Sequence, residues 1–221
     1  MLLVASLARV NVDRVADYVA GADAGLLLIA QLSSGVETLG EIAQAVPDIP
    51  WGGWLTDISH REMKQMKRAG CDFVVFPAAN TSLAVLQDTE VGKILEVEAL
   101  LGEGLLRTID DLPVDAVLIA GKPAGDYFLT WQHLMYFWHF ANSLAKPLLV
   151  SVPSTVAASE LQVLWEAGVD GVVVEAGVGG LKKLRQAIDK LTFPPLRRRR
   201  KAEAMLPYIS PAPGAATEEE E

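Results

Sequence analysis

Three glutamates and a lysine stand where short apolar runs of this chain end. In KILEVE, residues 93–98, Glu96 and Glu98 alternate with Leu95 and Val97, so in an extended strand both carboxylates share one face. Carboxylates so placed can give and take protons. Lys122 follows the next run, DAVLIAG (115–121). A desolvated amine there can form a Schiff base with a carbonyl substrate; its alternative is an ion pair with Glu98, which favours the protonated amine and weakens the nucleophile. Glu175 lies near the end of a third run and leads into Ala176-Gly177-Val178-Gly179-Gly180. Glycines in such a turn let backbone amides approach an anion closely.

The elements that must position these groups repeat eight times. Apolar, β-branched runs occur at 2–6, 25–30, 51–56, 73–78, 93–98, 115–121, 147–152 and 171–177, each followed by an amphipathic pattern. That alternation predicts a parallel eight-stranded (β/α)8 barrel, whose active sites collect at the C-terminal ends of the strands. The outward strand faces must pack beneath apolar helices, so Glu96 and Glu98 are expected to point inward, Glu98 at the rim and Glu96 one layer below. At that depth Glu96 needs a hydrogen bond, a cation or a proton. Further rim candidates are Ser6 and Arg9, Gln31, Thr56 and Asp57, Asn80, Ser151 and Ser154.

Glu98, Glu175 and Asp57 offer oxygen ligands suited to a hard cation, although no spacing specifies a metal site and the sequence names no cofactor. Walker, serine-hydrolase, zinc and dinucleotide fingerprints are absent. Asp57 and His60 suggest an acid/base pair, but Ser59 and Glu62 have capping-box spacing, which places His60 on an exposed first helical turn.

The helices read from the same spacing. Asn11 is the expected cap of the first and Gly21 its left-handed close. The fourth, around Leu83 to Leu86, is barely two turns. The sixth, residues 130–145 (TWQHLMYFWHFANSLA), carries aromatic residues on more than one face. Trp131, Leu134, Met135 and Trp138 are read as the inward stripe, leaving Tyr136, Phe137 and Phe140 for a subunit contact, most simply a homodimer. Filling space beneath the 127–128 loop or the tail is the other use for these rings.

The stretch Ser151 to Gly177, SVPSTVAASELQVLWEAGVDGVVVEAG, resembles the last repeat and a half of the phosphate-binding aldolase-type barrels. That group includes thiamine-phosphate synthase, indole-glycerol-phosphate synthase and ribulose-phosphate epimerase. The resemblance implies a phosphate held between the loops after strands seven and eight, near Ser154, Gly177, Gly179 and Gly180. Two departures bear on it. Val152-Pro153-Ser154-Thr155 replaces the usual glycine-rich turn, and its proline removes a backbone donor; Glu175 brings a negative charge to the same place. Ser154 or Thr155 has the alternative role of helix cap.

Composition sets the outer limits. The 221 residues are 51% hydrophobic with a net charge of -9, enough for one barrel domain over 1–193 and contrary to nucleic-acid binding, which needs a basic face. A single cysteine, Cys71, excludes an intramolecular disulfide and reads as a buried apolar residue. No run is long enough for a membrane span and MLLVASLA lacks a basic leader, so a cytoplasmic location is expected. Residues 194–221 form a tail with a basic run, Arg197 to Lys201, and a closing Glu218 to Glu221. Three functional classes follow: a lyase or isomerase of a small anionic, perhaps phosphorylated metabolite, with Glu98 and Glu175 as acid and base; a Schiff-base aldolase-like enzyme using Lys122; and a non-catalytic binding or assembly barrel.

Overall fold

A computed structural model describes residues 1–8, 11–120, 127–177 and 181–192. Eight parallel strands close in sequence order: β1 (Leu2–Leu7), β2 (Ala24–Ile29), β3 (Trp51–Leu55), β4 (Phe73–Pro77), β5 (Gly92–Val97), β6 (Ala116–Ile119), β7 (Leu148–Val152) and β8 (Gly171–Glu175). Closure comes from β1 against β8, with Leu2 beside Gly171 and Ser6 beside Glu175. The helices outside are α1 (Val15–Val19), α2 (Leu32–Ala45), α3 (His60–Arg68), α4 (Glu103–Thr108), α5 (Trp131–Ser143), α6 (Ala158–Glu166) and α7 (Leu181–Ile188). The expected (β/α)8 architecture is therefore the observed one. Among the described residues no helix is long and apolar enough to cross a membrane.

Strand parity sorts the apolar residues into two layers. Val4, Leu26, Val75, Leu118, Leu149 and Val173 fill the lumen, while the intervening residues join the larger core beneath the helices. Local signals fix the helix ends: Asn11 accepts from the Asp13 amide, Ser59 and Glu62 form the expected capping box, and Gly21 and Gly70 take φ of +94° and +85°.

One crossover departs from the α-helical pattern. Between β4 and β5 the chain makes a 3-10 helix, Leu83–Gln87, capped by Ser82. The segment is too short for a helix long enough to cover β5, and it leaves Leu83 83% exposed. Lys93, on the outward face of β5, is buried there, and its amine donates to the carbonyls of Asp88 and Val91. The Asp88 carboxylate accepts from the amides of Glu90 and Val91, the first being the main reason its pKa is held below 3.8.

At the end of the barrel away from the mouth, four aspartates repeat one device. Asp23, Asp72, Asp115 and Asp170 each stand one residue before an even-numbered strand. Their carboxylates accept from the amides of Leu3, Trp51, Lys93 and Leu148 at 2.7–2.8 Å. Their own amides donate to the carbonyls of the same four residues at 2.8–2.9 Å. Each odd strand is thus fastened to the next even one at its start by a two-bond ring.

The sixth helix of the sequence reading is α5, and its faces are the reverse of those expected. Phe137 is 4% exposed and Phe140 0%, whereas Trp131 is 82% and Met135 69% exposed. The stripe that packs inward, Phe137, Phe140, Ala141 and Leu144, continues to the residue just past the end of α5. The Trp131, Met135 and Trp138 stripe instead meets Asn142, whose side chain bonds back to the Trp138 carbonyl. A subunit contact through Phe137 and Phe140 is therefore not available.

Candidate active site at the C-terminal mouth

Moving up the lumen from its apolar middle, parity places Ser6 after Val4, Leu28 after Leu26, Ser151 after Leu149 and Glu175 after Val173 on the inward face. Glu96 follows Ile94, which packs on the lumen cluster. Polar groups thus gather at one end of an otherwise apolar channel. None of these inward positions is basic.

Glu96 is half-buried, and its Oε2 accepts a 2.7 Å hydrogen bond from the indole of Trp54. Trp54 belongs to β3 and packs on the lumen cluster, so its ring reaches across β4 to β5. The partner that a carboxylate at this depth requires is therefore an aromatic N–H, which fixes one of its oxygens. Sequence reasoning did not single out Trp54. Its parity, two residues before the rim position Thr56, was the available signal.

β5 ends at Val97, so Glu98 lies one residue beyond the strand, exposed, its carbonyl accepting from the Leu101 amide in a turn. Strand parity consequently orients Glu96 but not Glu98. Glu175 ends β8 in register with Ser6, and the following Ala176 amide donates to the Ser6 carbonyl at 2.8 Å. Neighbouring residues in register on one face stand close together, which makes Ser6 and Glu175 a rim pair. Asp57 and Gln31 are exposed, Gln31 at the N-cap position of α2 without a side-chain cap bond. Among the described residues no group of three or more His, Cys, Asp or Glu could hold a metal ion, so Glu98, Glu175 and Asp57 do not come together as cation ligands.

On the β7 side, Ser151 has a buried hydroxyl with no partner among the described residues. Its carbonyl accepts from the Tyr127 hydroxyl at 3.2 Å, and burial pushes the Tyr127 phenol pKa up. A buried hydroxyl left unpaired is uncommon enough to call for a ligand or a water. His60 is a similar case at the start of α3: it is half-buried, its Nδ1 without a partner among the described residues, and not on an exposed first turn.

Pro153 opens a turn in which the Val156 amide returns to its carbonyl, and Ser154 and Thr155 are exposed. Neither caps α6: the cap position is Ala157, whose amide donates to the Glu160 carboxylate at 2.7 Å. Gly177 is exposed, and an added Cβ would meet nothing within 4 Å. Arg9, Lys122, Gly179 and Gly180 lie outside the described residues.

No family model matches the sequence, and no curated protein sequence matches it either. Solved structures do. The 3-hexulose-6-phosphate synthase of Salmonella typhimurium superposes with a TM-score of 0.71 at 13% identity, covering 87% of this chain and all of the other. The 3-keto-L-gulonate-6-phosphate decarboxylase of Vibrio cholerae gives 0.68 at 15%, covering 87% and 98%. The orotidine 5'-phosphate decarboxylase of Pyrococcus horikoshii gives 0.66 at 14%, covering 86% and 100%. The likeness shows the fold. All three neighbours are named for phosphorylated compounds.

Proposed function

We propose that this chain is a lyase or isomerase of a small anionic metabolite bound at the C-terminal mouth. The observation that supports it is the division of the lumen: apolar residues close its middle, while Ser6, Glu96, Ser151 and Glu175 occupy the inward positions at one end. Proton transfer is the chemistry such carboxylates supply. Glu175 and Glu98 are the exposed acid/base candidates, and Glu96, held by Trp54, shapes the floor between Leu28 and the Ser151 wall. Ser151, Ser154 and Gly177 stand on the β7–β8 side beside Glu175, so an anionic group seated there requires the Glu175 carboxylate to turn away from it, while the Ser151 hydroxyl, without a partner among the described residues, offers a donor. The names of the fold neighbours agree with a phosphorylated substrate.

Thermal-shift measurements against phosphorylated three- to six-carbon sugars and acids, each beside its unphosphorylated counterpart, test the reading. A ligand at a hundred times its Kd adds about 2.7 kcal/mol, which for a domain of this size raises Tm by roughly 5–10 °C. Ser151→Ala should weaken that shift. Glu175→Gln should keep it and abolish turnover. Equal shifts from the unphosphorylated compounds, or full turnover by both Glu175→Gln and Glu98→Gln, would overturn the proposal.

A further inference from the structure

α5 and α6 enclose an apolar groove of about 410 Å3, with Phe137 and Leu164 at its base and Phe128, Trp131 and Val163 along its edges. Phe128 and Trp131 are more than three-quarters exposed among the described residues. An uncovered pair of large rings beside an apolar groove marks a contact surface.

The path of the chain after α7 indicates what covers it. Leu191 packs on the core, and both backbone groups of Thr192 are held by the side-chain amide of Gln162, midway along α6: Gln162 Nε2 donates to the Thr192 carbonyl and the Thr192 amide to Gln162 Oε1, each at 3.2 Å. The next residue of α6 is Val163, an edge of the groove. Val163 points about 100° further round the helix, and Gln162 is not in the groove lining, so Thr192 sits on the flank of α6 away from the groove and the chain continues Phe193-Pro194-Pro195-Leu196. Four extended residues span about 13 Å, against roughly 10 Å for the width of a helix. Proline-rich extended segments carry little conformational entropy to lose and dock in aromatic-lined grooves. The run Arg197 to Lys201 follows, and α6 presents Glu160 in the groove lining and an exposed Glu166.

We propose that residues 193–196 of this chain cross α6 and seat Leu196 in the α5–α6 groove beside Val163, against Trp131 and Phe128, with the following basic run drawn to Glu160 and Glu166. The occupant is tethered to Thr192 by a few residues, so its effective concentration is high without any strong individual contact.

Oxidation of paired cysteines in the full chain tests this. Cys71 does not interfere, being buried with its thiol pKa pushed up to about 12. Val163→Cys with Leu196→Cys should form an intrachain disulfide about ten-fold faster than Gln186→Cys, on the exposed surface of α7, with Leu196→Cys, as read by mass spectrometry of non-reduced peptides. Adding Trp131→Ala should slow the first pair several-fold. Equal rates for the two pairs would overturn the proposal. So would a disulfide between chains at twice the 23.8 kDa mass, which would assign the groove to a second copy.

Discussion

Replacing Phe140 with alanine, beside the matched replacement of Trp131, tests the orientation of α5 and through it the packing of the β6–β7 side of the barrel. Phe140 is 0% exposed and its ring meets His139 edge-on at 6.2 Å, so truncation removes a fully buried ring and leaves a cavity. Such changes cost about 3–5 kcal/mol. For a domain of 150–250 residues each kcal/mol moves Tm by roughly 2–4 °C, giving a fall on the order of 6–20 °C. Trp131, nearly all of it in solvent, should cost about 1 kcal/mol or less. Urea unfolding with linear extrapolation separates these outcomes, provided the slope m stays constant. If Trp131→Ala costs more than Phe140→Ala, α5 is rotated to the face the sequence suggested, and the groove described above does not exist.

Other expectations follow from single contacts. A Cβ on Gly52 would sit 2.2 Å from the Phe73 ring in the lumen, so Gly52→Ala should reduce stability by about 1–3 kcal/mol, read as a fall in the urea midpoint at constant m. The depressed pKa of Asp88 means that its contribution is complete at neutral pH and is lost as pH falls through the folded value, below 3.8; Asp88→Asn should flatten the pH dependence of the unfolding midpoint below pH 4. The Cys71 thiol, buried and pushed up to about 12, should resist a disulfide reagent at pH 8 until the protein is unfolded, and rapid labelling of the native chain would contradict its placement.

The barrel was legible because its two periodicities are strong: eight β-branched runs separated by 3.6-residue patterns leave few alternatives, and local caps such as Ser59–Glu62 act within a few residues. α5 was misread because aromatic side chains lie on both of its faces, and the choice depends on Leu144, beyond the helix end, continuing one stripe. The β4–β5 crossover was anticipated as short but not as 3-10. In the mouth, alternation alone identified the inward side of Glu96. Its bond to Trp54 joins residues 42 apart across an intervening strand, a relation that exists only once the sheet has closed.

The four aspartate rings bear on where this barrel can be opened. Each ring spans 20 to 22 residues, so its closure carries little entropy cost and each strand pair can assemble as a local unit. The natural ends of the described barrel fall between β8 and β1, outside every ring. Three further junctions share that property: β2 to β3, β4 to β5, and β6 to β7. A circularly permuted chain cut at any of these keeps all four rings as short-range closures. A cut between β3 and β4 turns the Asp72 ring into a link between opposite ends of the polypeptide. The barrel is accordingly modular in quarters, although its sheet runs without a break.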